Sequence, residues 1–206
     1  VDRELVLTYA DLLDRPARDL PGTLRCISYT YGNDLMSTTI WTGTSLADLL
    51  REAGVQDTAA DVILHGGGGY SDSVPLDAAL GQDALLAYAM QDETLAIAHG
   101  FPCRLFIPNL YGEKNVKWLH TIEVVSYDYR GFWQERGWTE TAIINVLSAV
   151  DVPYETQVLV GTDGATIGGV AFAGQRGIAT VDVRVGDGEW QAAEVEPYVP
   201  DLVWQR

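Results

Sequence analysis

The chain holds 206 residues, with 13 Lys and Arg against 29 Asp and Glu, for a formal net charge of −16 at pH 7. A polyanion of this density repels phosphate backbones and anionic headgroups, which argues against nucleic-acid and membrane-surface partners. Hydrophobic residues at 47% and charged residues at 20% give the composition of a folded globular chain. Two cysteines, Cys26 and Cys103, are too few for a disulfide scaffold and leave either one bridge or two free thiols. The opening residues Val1-Asp2-Arg3-Glu4 carry neither the basic end nor the apolar stretch of a signal peptide.

In chain order, Leu5-Val6-Leu7 predicts a strand running into a short helix at Tyr9 to Leu13, and Thr23 to Ile27 predicts a strand with Cys26 at its end. Ser45-Leu46-Ala47-Asp48 reads as a helix N-terminus. Leu46, Leu49, Leu50 and Ala53 recur at helical spacing, and Gly54 closes the helix. Asp61 to His65 predicts a strand stopped by the glycine run Gly66 to Gly69, which lacks the Lys and Ser/Thr of a P-loop and reads as a turn. Asp83 to Met90 and Thr94 to Ala98 predict a hairpin about Gln91-Asp92-Glu93. Arg104 to Ile107 and Val116 to Val125 are further strand candidates, separated by a turn over Pro108 to Lys114. After Thr141 the pattern changes to short β-rich segments, Gln157 to Val160, Thr166 to Phe172, Ile178 to Val185 and Glu189 to Val195, spaced as in an antiparallel sandwich.

The acidic charge is uneven. Residues 1 to 100 carry 5 basic and 15 acidic side chains, residues 141 to 206 carry 3 and 9, but residues 101 to 140 carry 5 of each. That window holds both lysines of the chain, Lys114 and Lys117, with Arg104, Arg130 and Arg136, and is the place to expect an anion. Three features where strands meet loops carry chemistry: Cys26, His99 to Arg104, and Gly112 to Trp118. A thiolate is a soft anionic metal ligand, and His, Arg and Lys together make a clamp for phosphate. No C-x-x-C, H-E-x-x-H or G-x-S-x-G spacing occurs, so structural zinc and serine-hydrolase chemistry lack support.

Leu24-Arg25-Cys26-Ile27-Ser28, Trp41-Thr42-Gly43 leading to Leu46-Ala47-Asp48-Leu49-Leu50, His99-Gly100-Phe101-Pro102 with Arg104, and Asn115-Val116-Lys117-Trp118-Leu119 resemble, in order, the molybdopterin-binding domain of the sulfite oxidase family. Tyr129-Arg130-Gly131-Phe132-Trp133 with Gly137-Trp138 extends the resemblance. Val152-Pro153, Gly169-Val170-Ala171, Gly174, Gly177-Ile178 and Gly188 with Trp190 resemble the immunoglobulin-like dimerisation domain that follows in that family.

The resemblance implies an α+β chain: a mixed α/β molybdopterin-binding domain over 1–140, then an incomplete immunoglobulin-like β-sandwich over 141–206. It implies a molybdenum-molybdopterin cofactor, with Cys26 as the metal ligand. His99, Arg104, Asn115, Val116 and Lys117 fall at cofactor-binding positions, and Tyr129 at the position of the active-site tyrosine. The activity implied is oxygen-atom transfer to or from a small oxyanion or sulfoxide, with nitrate or sulfoxide reduction as variants. A non-catalytic acidic binding or assembly module on the same fold is the alternative. Sulfite oxidases follow the ligand cysteine with Gly-Asn-Arg, whose arginine binds substrate; Ile27, Ser28, Tyr29 and Thr30 stand here, so the likeness reaches the cofactor rather than the substrate. No C-x-x-C-H haem motif occurs, so electrons are expected to leave to a separate carrier such as a cytochrome. The implied setting is a longer parent protein, extracytoplasmic or membrane-associated, with a homodimer through the second domain.

Overall fold

The computed structural model describes residues 1–28, 35–153 and 164–196. A short helix α1 (Tyr9–Leu13), capped reciprocally by Thr8 and Asp11, leads to strand β1 (Ala17–Arg25); the chain returns as β2 (Met36–Ser45) and passes straight into helix α2 (Leu46–Ala53). Leu5 to Leu7, expected as a strand, joins no ladder; Leu7 packs on the core from irregular backbone instead.

Helix α2 forms as its sequence demands. The Ser45 hydroxyl accepts from the Asp48 amide at 3.2 Å, satisfying a donor that the first turn leaves open. Leu46, Leu49, Leu50 and Ala53 make the buried stripe, and Gly54 ends the helix in the left-handed region at φ +73°. Ser45→Ala is expected to cost about 1 kcal/mol in urea denaturation, the usual worth of such a cap.

The remaining elements follow as β3 (Asp61–Gly66), β4 (Ser71–Pro75), α3 (Leu76–Ala79), β5 (Leu85–Met90), β6 (Glu93–Thr94), β7 (Arg104–Phe106), β8 (Leu119–Val125), β9 (Leu147–Val152), β10 (Gly168–Phe172), β11 (Asp182–Val183) and β12 (Gln191–Ala192). Among the described residues every pairing is antiparallel. Strands β1, β2, β5 and β6 lie in that order with β7 also on β5, and a second sheet has the order β4, β3, β8. The hairpin at Gln91 and Asp92 is as expected, both residues having positive φ (+49° and +63°) as a two-residue type I′ loop requires. Its second strand is only Glu93–Thr94, because Ile97–His99 coils into a 3-10 turn. Strand β8 begins at Leu119 rather than Val116, since Trp118 sits at φ +53°, outside any ladder conformation.

Alternation along β5 and β7 explains two cores. Leu86, Tyr88 and Leu105 point to the side where α2 (Leu46, Leu49, Leu50), Val62, Leu64 and Val74 gather. Leu85, Ala87 and Phe106 point the other way, onto Leu20, Trp41 and Leu95. Phe106 stacks on Trp41 at 4.7 Å between centroids, and a Cβ on Gly22 would meet its ring at 2.4 Å, so that position must be glycine for β1 to close over Phe106.

Beyond residue 141, β9 pairs with β10 and β11 with β12 as two separate two-stranded ladders. The segment Gln157 to Val160, expected as a strand, lies outside the described residues. Ile143 bridges to Leu110, the Tyr111 amide donates to the Ala142 carbonyl, and Met36, Tyr111, Ala142, Ile144 and Phe172 share one small core. Among the described residues no helix is long and apolar enough to cross a membrane.

Candidate cofactor site

Cys26 stands one residue beyond β1, half-buried and free, its amide donating to the Leu35 carbonyl at 2.9 Å. The preceding residue anchors it. Arg25 Nη1 donates to the Tyr111 hydroxyl at 2.9 Å, and a Cβ on Gly112 would lie 3.5 Å from the Arg25 carbonyl oxygen. The end of β1 is thereby set beside the start of the 112–118 loop.

That loop is organised by two groups that sequence alone assigned to the cofactor. Asn115, 1% exposed, accepts from the Ile107 amide at 2.7 Å and donates to the carbonyls of Leu110 and Tyr111. Its amide side chain shapes the turn. Arg104, 3% exposed, extends from β7 over the Trp41 ring at 5.0 Å and donates to the carbonyls of His99 and Asn115, each at 3.0 Å. The guanidinium therefore joins the 97–103 turn to the 112–118 loop. Burial pushes its pKa down to about 10, which leaves it charged at neutral pH.

Lys117 closes the same junction from outside. Its Nζ donates to the Ala98 carbonyl at 2.9 Å and lies 4.4 Å from the Trp118 ring centre, while Trp118 donates to the Ile97 carbonyl at 2.6 Å. Partial burial, and then the Arg104 charge, hold the Lys117 pKa below the ordinary lysine range. Gly100, at φ +113°, sits where a Cβ would press on Lys117 and Arg104 at 3.1 and 3.2 Å. His99 is exposed at the rim, and Val116 is buried beneath with its carbonyl accepting from the Leu105 amide. The five expected positions from His99 to Lys117 thus form one loop pair, with Cys26 reaching it through Arg25, Tyr111 and Gly112.

Lys114 corrects the sequence expectation. Both lysines were expected to face an anion, but Lys114 is 2% exposed and donates to Asp72 Oδ1 at 2.7 Å and to the Ser73 carbonyl at 2.9 Å. Asp72 has no exposed surface. Its Oδ1 also accepts from the Ser73 amide, and its Oδ2 from the Tyr70 hydroxyl at 2.9 Å. With its amide oriented to satisfy its neighbours, Gln134 donates to Asp72 Oδ1 at 3.1 Å and accepts from Lys114 Nζ at 3.2 Å. Burial beside this carboxylate raises the Tyr70 pKa far above the ordinary phenol range.

Tyr129 lies on a strap over the second sheet. Its amide donates to Asp61 Oδ2 at 3.0 Å, its carbonyl accepts from the Ser73 hydroxyl at 3.1 Å, and its hydroxyl is hydrogen-bonded to Ser71 Oγ at 2.7 Å. Sequence reasoning missed Gly66, Asp72 and Tyr70. Gly66 had a signal in the glycine run that stops the strand, and the structure shows its use: a Cβ there would stand 2.5 Å from the Lys117 carbonyl oxygen and bar the loop from β3.

The two cysteines are chemically distinct. Cys103 is buried, its Sγ 3.5 Å from the Leu119 carbonyl oxygen, and burial pushes its pKa from 9.0 up to about 11. The unfolded thiol ionises first as pH rises, so the stability it contributes is full below about pH 9 and is lost by about pH 11. Denaturation curves of the parent are expected to weaken across that window, and those of Cys103→Ala to weaken less.

The chain matches the model of the oxidoreductase molybdopterin-binding domain over residues 1–133. It is 34% identical over 138 residues to the uncharacterised oxidoreductase YuiH of Bacillus subtilis, covering 67% of this chain and 68% of that one. It is 31% identical to mitochondrial sulfite oxidase of Mus musculus across a gapped alignment of 236 positions, covering 94% of this chain while spanning only 43% of that relative's length. In three dimensions it resembles the crystal structure of the sulfane dehydrogenase SoxCD of Paracoccus pantotrophus, with TM-score 0.84 at 23% identity, over 100% of this chain and 60% of that one. The chain belongs to the family of molybdopterin-binding oxidoreductases that includes the sulfite oxidases, enzymes whose cofactor is molybdenum-molybdopterin.

Proposed function

We propose that residues 1–140 hold a molybdenum-molybdopterin cofactor and catalyse oxygen-atom transfer to or from a small oxyanion or sulfoxide, and that 141–206 form part of an immunoglobulin-like dimerisation domain. The observation that carries this reading is the junction at which Arg104 ties His99 to Asn115 while Lys117 and His99 stay at the surface. The residues fit the group. A half-exposed, unbridged thiol at Cys26 suits a soft metal, and the Lys117 cation beside exposed His99 suits a phosphate, in a chain otherwise far too acidic to attract one.

When bound, the cofactor supplies the two-electron chemistry of oxygen transfer. Cys26 would ligate the metal as thiolate, and Lys117, His99 and the backbone of Asn115 to Lys117 would hold the phosphorylated tail. Tyr129 would offer a hydroxyl donor beside the substrate. Membership of an enzyme family favours this reading over a non-catalytic binding module. Electrons would pass singly to a separate carrier such as a cytochrome.

Protein produced in a host that makes the cofactor is expected to contain molybdenum and pterin at close to one per chain. Lys117→Met is expected to lower pterin retention by about tenfold, the worth of one charge-assisted phosphate contact. Parent protein free of both, or a variant that retains pterin as the parent does, overturns the assignment.

A further inference from the structure

The buried cluster around Lys114 touches both halves of the proposed site. From the 112–118 loop come Lys114 Nζ and the Glu113 carbonyl; from β4 and its entry come Tyr70, Ser71, Asp72 and Ser73; from the strap come Tyr129 and Gln134. Lys114 meets an acceptor for each of its three N–H groups, in Asp72 Oδ1, the Ser73 carbonyl and Gln134 Oε1. The Tyr70 hydroxyl faces both Asp72 Oδ2 and the Glu113 carbonyl at 2.9 Å. Ser73 is shared, since its carbonyl takes Lys114 while its hydroxyl donates to the Tyr129 carbonyl. At Gly131 a Cβ would stand 2.9 Å from both Asp72 Cα and the Ser71 carbonyl oxygen, so the strap lies directly on this strand.

The geometry points to Lys114 as a positioning residue: its ion pair with Asp72, completed by Gln134, locks the 112–118 loop to the strap that carries Tyr129. The inference rests on the proposed roles of that loop and of Tyr129, and gives the two a common anchor. A pair held by so many directed bonds has one arrangement, whereas apolar groups of equal volume fill the space without fixing angles. Loop and strap then keep one mutual position, and the Tyr129 hydroxyl one place on Ser71.

Stability and positioning separate in the double variant Asp72→Leu/Lys114→Met. It buries no lone charge, so its melting temperature is expected to return close to the parent value, well above that of Lys114→Met. The full chain is labelled with meta-fluorotyrosine, and the Tyr129 fluorine resonance is assigned by its loss in Tyr129→Phe. The single narrow Tyr129 line of the parent is expected to be lost, by splitting or broadening, in the double variant despite restored stability. Recovered stability with an unchanged Tyr129 line overturns the proposal and makes the cluster a structural pair only. Should the double variant fail to fold, Gln134→Leu, which removes one neutral arm and no charge, is expected to broaden the same line, and an unchanged line again overturns it. A changed line with pterin held as tightly as in the parent supports the lock and tells instead against the cofactor role of the loop.

Discussion

Lys114→Met is expected to destabilise the chain by about 4 kcal/mol, the cost of breaking a buried ion pair from one side. Asp72 has no exposed surface, so the carboxylate left behind cannot regain water, and the bonds from Tyr70, Gln134 and the Ser73 amide do not replace the ammonium. For a chain of this size that loss corresponds to a melting temperature lower by roughly 10 °C. Arg130 provides the contrast. It pairs with Glu140 at 3.6 Å with more than half of each side chain exposed, and Arg130→Met is expected to change stability by less than about 1 kcal/mol. Urea or thermal denaturation of the two variants side by side checks the difference, and equal stability would sink the account of the buried pair.

Cys26→Ser is expected to abolish molybdenum retention, with oxygen transfer falling by at least about a hundredfold, while the fold persists. A hydroxyl at that position does not ionise near neutral pH, and its oxygen is a hard donor where the metal favours a soft one. Loss of a ligand exceeds the roughly 10- to 100-fold effect of altering groups behind a ligand. Cys26 lies past the end of β1 and only half-buried, so little packing depends on it. Cys103→Ser is the reverse: a hydroxyl placed among core side chains costs stability but leaves metal content intact. Molybdenum measured by mass spectrometry with far-ultraviolet circular dichroism checks both. A folded Cys26→Ser protein with full metal content would remove Cys26 from the ligand role.

The legible parts of the chain were those specified by neighbours in sequence. The cap, apolar stripe and terminal glycine of α2 lie within ten residues, and the hairpin at Gln91-Asp92 shows in the runs on either side. Strands β2, β4 and β9 were not legible. Met36–Ser45 is rich in Ser and Thr and buries residues on both faces, Trp41 in the core with Phe106 and Met36 in the core with Tyr111 and Phe172, so its pattern neither alternates nor runs apolar. Ser71–Pro75 carries Asp72 at a fully buried position, which only a lysine arriving from 42 residues away makes tolerable.

By itself the sequence determined the family, through ordered motifs at Cys26, His99, Arg104 and Asn115 to Lys117, and it marked residues 101–140 as the charge-balanced window of an acidic chain. Only the tertiary structure decided how that charge is spent. Lys114 and Lys117 are three residues apart and identical in chemistry, yet the 3-10 turn Gly112–Lys114 sends the first into the protein onto Asp72, while Lys117 stays at the surface on Ala98. Arg104 likewise became a brace between two loops because its strand faces Trp41 and both carbonyls converge on it. A side chain's charge is fixed by its identity, but whether that charge meets a ligand or a buried partner depends on desolvation and on which distant groups the fold brings within hydrogen-bonding reach.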